Sequence, residues 1–276
     1  MTTIAIPGGA NPEIREAITI AKQKFGSKID FTIYDVEDNS AGDYHFVACS
    51  PETVISTAVK SVATGEAQIL MKGIVQTHDL LKEVLKKEYD LRQQKLLSHV
   101  AMIHLPQMDR PILLTDSGMN IAPDVEQLVQ IADNAITTAQ KIGIEEPKVA
   151  LLSSAEIFNP KMPSSVLAKE VTERMQDRRA IVYGPLSLDL ALSKEAVAHK
   201  HFTGPIAGDA DVLVVPTIDT GNVLYKSLLL FGQAVMGGTI VGTKVPIVLT
   251  SRSDSAESKL LSLEFAMKQL GGEEHE

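Results

Sequence analysis

The sequence predicts an α/β protein with mainly parallel sheets, and two observations support this class. Short apolar runs alternate with amphipathic helical patterns along almost the whole chain of 276 residues. Many of these runs are apolar without alternation, which is typical of strands covered on both faces. Strands that alternate with helices in this way indicate βαβ units. The runs that we interpret as strands are 3–7, 31–35, 45–49, 68–71, 112–116, 148–153, 180–184, 212–216 and 246–250.

Three of the segments between these runs carry helix signals. The segment 51–65 opens on a proline and closes on a glycine, the asymmetry that is typical of helix ends. The segment 124–143 repeats apolar residues at helical spacing and also ends on a glycine. The segment 254–270 carries a similar apolar stripe, and Asp254 with Glu257 resembles a capping box. We therefore predict a helix in each segment.

Two stretches of the chain are predicted domain crossings. One, at 141–148, ends a long helix and contains Pro147 just before a new strand; the other, at 237–244, gathers several glycines. These crossings make the first predicted domain discontinuous, because the C-terminus returns to it. The predicted domains are 1–142 with 241–276, and 143–240.

Composition restricts the classes of function. The formal net charge of −9 disfavours a nucleic-acid surface or an anionic membrane surface. No apolar run reaches the roughly 18 residues that a membrane span needs, and the N-terminal residues lack the pattern of a secretory signal. The single cysteine, Cys49, cannot form an internal disulfide and fits a reducing cytosol. We therefore expect a cytoplasmic protein with a small-molecule ligand.

The segment 208–226, GDADVLVVPTIDTGNVLYK, joins a predicted strand to a polar turn and a helix. We expect Gly221 and Asn222 to fall at the helix start, where unpaired N–H groups and the helix dipole favour an anion. Asn222 and Lys226 have the i, i+4 spacing that places two side chains on one helix face. The structural alternative is that Thr220 caps the helix and Lys226 is a surface charge.

Two further junctions have the same order of strand, polar turn and helix. Ser251 and Arg252 follow one strand, and an arginine there can hold a phosphate through two hydrogen bonds or, alternatively, form an ion pair between elements. Lys72 and Gly73 follow another strand, and Thr77 precedes an amphipathic helix. Because parallel strands align their carboxyl ends, we expect such junctions to converge on a cleft.

Other chemistry-bearing patterns are weak or absent. His99 lies inside an apolar segment and fits a core histidine, and Asp116 ends a predicted strand. The glycines near the N-terminus lack the spacing of a dinucleotide-binding loop. The histidines show no zinc-ligand spacing, and we find neither a G-x-S-x-G nucleophile elbow nor a P-loop.

Taken in order along the chain, several motifs resemble the phosphate acetyltransferase and phosphate butyryltransferase family. They are GDADVLVVPTIDTGNVLYK, MKG followed by Thr77, GPLSLD and VLTSRSDSAESK. The stretches LLSHV, GMNIAP and SRSDSAESKLLSL look more like the butyryltransferase branch than the acetyltransferase branch. The combination is specific, although no single piece is.

The resemblance implies a reversible reaction in which acyl-CoA and phosphate give acyl phosphate and free CoA. It also implies two α/β/α domains like those of isocitrate and isopropylmalate dehydrogenases, with a cleft between them, and a homodimer. No metal and no permanently bound cofactor are expected, since coenzyme A is a substrate. Matched motif by motif, the resemblance implies catalytic roles for Ser251, Arg252 and Asp209. The substrate-binding residues that we expect are Gly221, Asn222, Lys226, Lys72, Gly73 and Thr77.

The sequence departs from the acetyltransferase pattern at one position. The aspartate proposed there as the base that deprotonates CoA corresponds to Ser258 here. A free thiol has a pKa near 8.5, so the direction that consumes CoA benefits from a base. Three possibilities stay open: Asp209 is the base, Glu257 is the base, or nearby cations lower the thiol pKa without a dedicated base.

The leading hypothesis is an enzyme that prefers short acyl groups such as butyryl or a branched analogue. A phosphate acetyltransferase is the alternative within the class. A dehydrogenase on the related fold would need metal-binding aspartates and a nucleotide loop, and neither pattern is convincing. A non-catalytic CoA-binding module is disfavoured because Ser251, Arg252, Asn222 and Lys226 are all present.

Overall fold

The computed structural model describes residues 1–38, 42–249 and 255–271. Its chain divides into two compact units. Unit 1 contains Met1–Gln93 and Gly237–Leu270, and unit 2 is built on Gln94–Met236.

The described residues contain eleven strands and nine α-helices. The strands are β1 Thr2–Pro7, β2 Ile29–Asp35, β3 His45–Ala48, β4 Ile69–Met71, β5 Ser98–His104, β6 Ile112–Thr115, β7 Lys148–Leu152, β8 Ile181–Leu186, β9 Val212–Val214, β10 Val235–Val241 and β11 Ile247–Val248. The helices are α1 Pro12–Phe25, α2 Val54–Ala63, α3 Thr77–Val84, α4 Val125–Lys141, α5 Pro163–Arg174, α6 Leu188–Leu192, α7 Lys194–His199, α8 Ile218–Phe231 and α9 Ala256–Leu270.

The sheet of unit 1 has the strand order β3-β2-β1-β4-β11-β10. All its neighbouring strands are parallel except β10, which runs antiparallel to β11. Isoleucines of β1 and β2, together with Phe31, form a core that the apolar stripes of α1 and α9 cover. The carboxyl ends of β1, β4 and β11 therefore share one edge of this sheet.

The sheet of unit 2 has the order β5-β6-β9-β7-β8, and only β5 is antiparallel to its neighbour. Its core joins apolar residues of β5, β6 and β9 to Leu186 and Leu190. The helix α4 begins with a capping box, in which Asp124 and Gln127 satisfy each other's backbone N–H. The predicted α/β class with mainly parallel strands is confirmed.

The first domain boundary differs from the sequence prediction. Residues 94–142, which we assigned to the first domain, lie in unit 2. The reason is strand pairing: β6 pairs in parallel with β9, and α4 packs against β5, β6 and β9. The turn signals at 141–148 mark only a helix end. The second crossing lies at Gly237, where Gly238 N donates to Ser262 Oγ of α9 at 3.1 Å.

The start of α9 also differs from its prediction. The helix begins at Ala256, and Ser255 Oγ accepts a hydrogen bond from Ser258 N at 3.1 Å. Ser255 therefore caps the helix within the described residues. Asp254 lies outside the described residues, and Glu257 is exposed in the first turn.

Candidate functional site

The helix that follows β9 in unit 2 begins about one turn earlier in the chain than the sequence predicted. The helix α8 begins at Ile218, and Thr217 Oγ1 accepts from Thr220 N at 3.4 Å. Gly221 N donates to Thr217 O at 3.1 Å, so this amide already has an intrahelical partner. The predicted anion cradle of unpaired amides at Gly221 and Asn222 is therefore wrong, and Thr220 is not the cap.

Gly221 has a different structural role. A Cβ atom at this position would lie 2.7 Å from Asp116 O and 2.9 Å from Ser117 Cα. Only a residue without a side chain lets α8 pack this closely on the loop that follows β6. Gly221 thereby fixes the position of the first two turns of α8.

The loop that receives Gly221 is held by a buried carboxylate. Asp116 is 2 % exposed, and its side chain accepts hydrogen bonds from the backbone amides of His99, Gly118 and Met119 at 3.2, 2.8 and 2.9 Å. The Asn120 amide adds a fourth donor at 2.6 Å. A buried charge is tolerated when it is hydrogen-bonded in this way. The loop is therefore a rigid support for α8.

Asn222 and Lys226 follow Gly221 along α8, and both side chains are exposed. Within the described part of the chain, neither side chain makes a hydrogen bond or an ion pair. An amide and an ammonium group are thus available to a ligand on one face of the first two turns. This pair retains the geometry that the i, i+4 spacing predicted.

Asp209 does not join this group. It precedes β9, while Gly221 and Asn222 follow it, and about 10 Å of strand separates the two ends. The Asp209 carboxylate forms an ion pair with Lys148 and accepts from Ala207 N at 3.0 Å. Nearby, Arg110 Nη1 donates to Asp211 Oδ1 at 2.6 Å. The G-D-A-D motif therefore ties together the amino ends of the unit 2 strands, and the structure does not bring Asp209 to the carboxyl edge.

Burial raises the pKa of Asp209, but several groups outweigh it. The hydrogen bonds from Lys148 and the Ala207 amide, with the charges of Lys148 and Arg110, hold the pKa of Asp209 below its ordinary value of 3.8. A carboxylate with a lowered pKa is a weaker base. This direction argues against Asp209 as the group that deprotonates a thiol.

In unit 1, the junction after β4 places Lys72, Gly73 and Thr77 at one edge of the sheet. A Cβ on Gly73 would clash with the carbonyl oxygens of Pro7 and Gly8, so the loops after β1 and β4 pack backbone to backbone. Thr77 is the first residue of α3.

The Lys72 side chain turns back on its own loop. Its Nζ donates to Gly73 O at 3.2 Å and to Val75 O at 3.4 Å. Lys72 thereby has a structural role in the loop, and its predicted role in substrate binding stays a prediction.

The strand β11 runs parallel to β4, with Val248 opposite Met71, and ends at the same edge. Ser251 and Arg252 follow it in sequence and lie outside the described residues. Ser258, which takes the position of the acetyltransferase aspartate, is 8 % exposed and accepts from Ser255 Oγ at 3.2 Å. Next to it, Lys259 Nζ pairs with Glu13 Oε1 of α1 at 2.7 Å.

The described residues contain neither a metal site nor a membrane-spanning helix. No group of three or more His, Cys, Asp or Glu side chains has an arrangement that holds a metal ion. None of the helices in the described ranges combines the length and the hydropathy that a membrane span requires.

Comparison with known proteins identifies the family. Residues 48–265 match the family model described as "Phosphate acetyl/butaryl transferase". The chain belongs to this family. A probable phosphate butyryltransferase of Bacillus subtilis is 41% identical over 275 residues, which cover 96% of this chain and 92% of the relative. A crystal structure of a branched-chain phosphotransacylase from Enterococcus faecalis V583 shares 57% identity, with full coverage of both chains and a TM-score of 0.95.

A more distant solved structure shares the fold alone. A putative 4-hydroxythreonine-4-phosphate dehydrogenase from Salmonella typhimurium is 13% identical, with a TM-score of 0.61 and coverage of 97% of this chain and 99% of that one. The dehydrogenase-like fold class is thus confirmed together with the family. This phosphate acyltransferase converts short-chain acyl-CoA and phosphate to acyl phosphate and CoA, reversibly.

Pocket-lining residues of unit 2 went unrecognised in the sequence. Ser153, Ser154 and Leu188 follow different strands and meet α8 around one pocket. Leu188 lies in the GPLSLD motif, whereas Ser153 and Ser154 belong to no motif, and the proximity of the three depends on strand order. The one usable signal was that Ser153 and Ser154 lie at the end of a predicted strand and Leu188 lies in the turn segment after another.

Proposed function

We propose that this phosphate acyltransferase prefers butyryl and branched-chain acyl-CoA to acetyl-CoA. The supporting observation is the likeness over the whole chain, at 57% identity, to a protein described as a branched-chain phosphotransacylase. We further propose a cytoplasmic homodimer without a permanently bound cofactor. Sedimentation analysis of the purified protein, with its absorption spectrum, tests the last two points: a monomer or a cofactor band contradicts them.

The transfer is a nucleophilic substitution at the thioester carbonyl. An oxygen of inorganic phosphate attacks the carbonyl carbon, the C–S bond breaks, and the thiolate leaves and takes up a proton as CoA. In our proposal Arg252 neutralises and orients the phosphate, and Ser251 and Asn222 donate hydrogen bonds to the tetrahedral oxyanion. Lys226 holds phosphate groups of the substrates. Lys72, Gly73 and Thr77 complete the substrate-binding set.

Neither of the two candidate carboxylates has a position that favours a role as base. Asp209 lies at the amino edge of its sheet and is paired with Lys148. Glu257 is exposed in the first turn of α9. We therefore favour the third possibility, in which nearby cations lower the pKa of the CoA thiol.

Three alternatives are separable from this proposal in one assay. CoA release is followed with DTNB, using acetyl-CoA, butyryl-CoA, isobutyryl-CoA and isovaleryl-CoA with and without phosphate. The proposal expects phosphate-dependent release that is faster with the four- and five-carbon groups. Preference for acetyl-CoA indicates a phosphate acetyltransferase, release without phosphate indicates a thioesterase, and binding without release indicates a CoA-binding module.

A further inference from the structure

A pocket of about 640 Å³ lies within unit 2 beside the first two turns of α8. Residues from three helices, two loops and the end of one strand surround it. The lining residues are Leu152, Ser153, Ser154, Ser164, Leu188, Pro216, Asp219, Thr220, Val223, Leu224 and Ser227.

The pocket lies where the sheet topology favours ligand binding. β7 and β9 are parallel neighbours in the sheet. After β7 the chain continues to β8, on the side of β7 away from β9. After β9 it continues to α8, which packs beside β6, on the side of β9 away from β7. The two connections thus diverge and leave a crevice at the carboxyl ends of β7 and β9. Ligands of open α/β sheets commonly bind in such a crevice. Ser153 follows one of these strands and Pro216 the other.

The charges around the pocket disfavour a phosphate group in it. Among the residues that the structure describes, the lining contains no lysine, arginine or histidine, and its one ionisable side chain is the carboxylate of Asp219. A phosphate group would meet negative charge here without a compensating cation. The pocket therefore does not hold inorganic phosphate or the phosphate groups of CoA.

The polar atoms of the wall are largely satisfied within the protein. Ser153 Oγ and Ser164 Oγ lie 3.0 Å apart, and Ser154 Oγ donates to Met162 Sδ at 3.1 Å. Thr220 Oγ1 lies 3.1 Å from Thr217 Oγ1. An apolar group placed against these hydroxyls leaves none of them without its partner. The remaining wall is supplied by Leu152, Leu188, Val223, Leu224 and Pro216.

We propose that this pocket binds the acyl chain of the acyl-CoA substrate and sets the preference for chain length and branching. The proposal rests on the proposed function and adds the residues responsible for it. A volume of about 640 Å³ is far more than an acetyl group fills, and it leaves room for a branched chain with the adjoining part of the pantetheine arm. Val223 on α8 and Leu188 at the start of α6 are the side chains that an acyl chain contacts from two walls.

The test narrows the pocket from each of these walls. Val223 is 65% exposed and Leu188 is 38% exposed, so Val223→Phe and Leu188→Phe are compatible with folding. Each variant is assayed for kcat/KM with acetyl-CoA and isovaleryl-CoA at saturating phosphate. We expect kcat/KM for isovaleryl-CoA to fall by about tenfold or more and kcat/KM for acetyl-CoA to change by less than about threefold. The reason is that one methylene in a pocket changes specificity by about 10–200-fold.

Leu230→Phe is the matched control. It lies two turns after Val223 on the same helix, is 71% exposed and does not line the pocket. We expect this variant to leave the ratio of the two kcat/KM values unchanged. Competitive inhibition by free CoA and by the thioether S-butyl-CoA measures binding of compounds that are not turned over. We expect Val223→Phe to weaken the inhibition by S-butyl-CoA and to leave the inhibition by free CoA unchanged.

Equal losses for all chain lengths, or no loss in either pocket variant, overturn the acyl-pocket proposal. Failure of the proposed function has a different signature, because the unmodified enzyme then prefers acetyl-CoA. In that case a selective loss of isovaleryl-CoA in both variants still supports the pocket.

Discussion

The junctions after β4 in unit 1 and after β9 in unit 2 use the same structural device. In each, a glycine allows a neighbouring strand end to approach the backbone more closely than a side chain permits. Gly73 packs against Pro7 and Gly8, and Gly221 packs against Asp116. In both units, then, the glycine positions a polar segment at the carboxyl edge of a sheet.

The two junctions differ in what their lysines do. Lys72 donates to carbonyl oxygens of its own loop, whereas Lys226 is exposed and makes no hydrogen bond or ion pair within the described part of the chain. The same arrangement of strand, glycine and lysine therefore yields one cation that stabilises a loop and one that is available to substrate. Sequence spacing alone does not distinguish these cases.

The largest effect is expected from Gly221→Ala. The added methyl group clashes with the backbone of Asp116 and Ser117, so α8 must shift with Asn222 and Lys226. Because a displacement of about 1 Å can cost roughly 100-fold in rate, we expect kcat/KM to fall by about 10- to 100-fold. Overpacking should also lower the free energy of unfolding by about 1–3 kcal/mol.

Gly118→Ala is the control for this prediction, measured in the same assays. Its Cβ would meet the His99 ring at 3.4 Å, an ordinary contact in the same region. If Gly221→Ala and Gly118→Ala have the same effect on kcat/KM, the close packing of α8 on the loop after β6 does not contribute to activity.

A second pair of variants sharpens the contrast between the lysines. Lys226→Gln should reduce kcat/KM for acyl-CoA or phosphate by about tenfold, because one charge-assisted contact is lost, and should leave the melting temperature unchanged. Lys72→Gln should in addition lower the free energy of unfolding by about 1 kcal/mol, since the loop carbonyls lose their donor. Steady-state kinetics and urea unfolding measure the two effects. If the two variants have the same urea unfolding curve, Lys72 and Lys226 do not differ in their contribution to stability.

A smaller and pH-dependent effect is expected at Asp209. Its folded-state pKa lies below its ordinary value of 3.8, so its carboxylate stabilises the fold above that pH, and this contribution is lost as the pH falls through the folded-state pKa. Asp209→Asn should therefore lower the urea midpoint near neutral pH, and the difference from the unmodified protein should shrink below pH 3.8. We expect kcat/KM to stay within about threefold. If Asp209→Asn instead lowers kcat/KM for CoA by at least tenfold and leaves the urea midpoint unchanged, Asp209 is again a candidate base.

Most of the fold was predictable from local pattern. All nine apolar runs correspond to strands, and α2, α4 and α9 lie in the predicted segments.

Two strands were missed for identifiable reasons. β5 lies in an apolar segment without a turn signal before it, and the glycines of β10 suggested a crossing. In β10, Gly237 is required because a Cβ there would lie 2.6 Å from the backbone of Leu261 in α9.

The candidate site was less predictable than the fold. Asn222 and Lys226 are local, and their common face followed from helix geometry. The register of α8 did not, because two threonines compete for the capping position and Thr217 occupies it. The role of Asp209 depends on which end of the strand it occupies and on Lys148, which lies 61 positions away in sequence.

The placement of β11 constrains how the chain is made. β4 pairs on one side with β1 near the N-terminus and on the other with β11 near the C-terminus, and the whole of unit 2 is synthesised between them. One side of β4 therefore keeps its backbone groups unpaired until the strands of unit 2 and then β11 have been synthesised. On a ribosome, unit 2 has all its strands before unit 1 does, so the N-terminal segment is the last to reach its final structure.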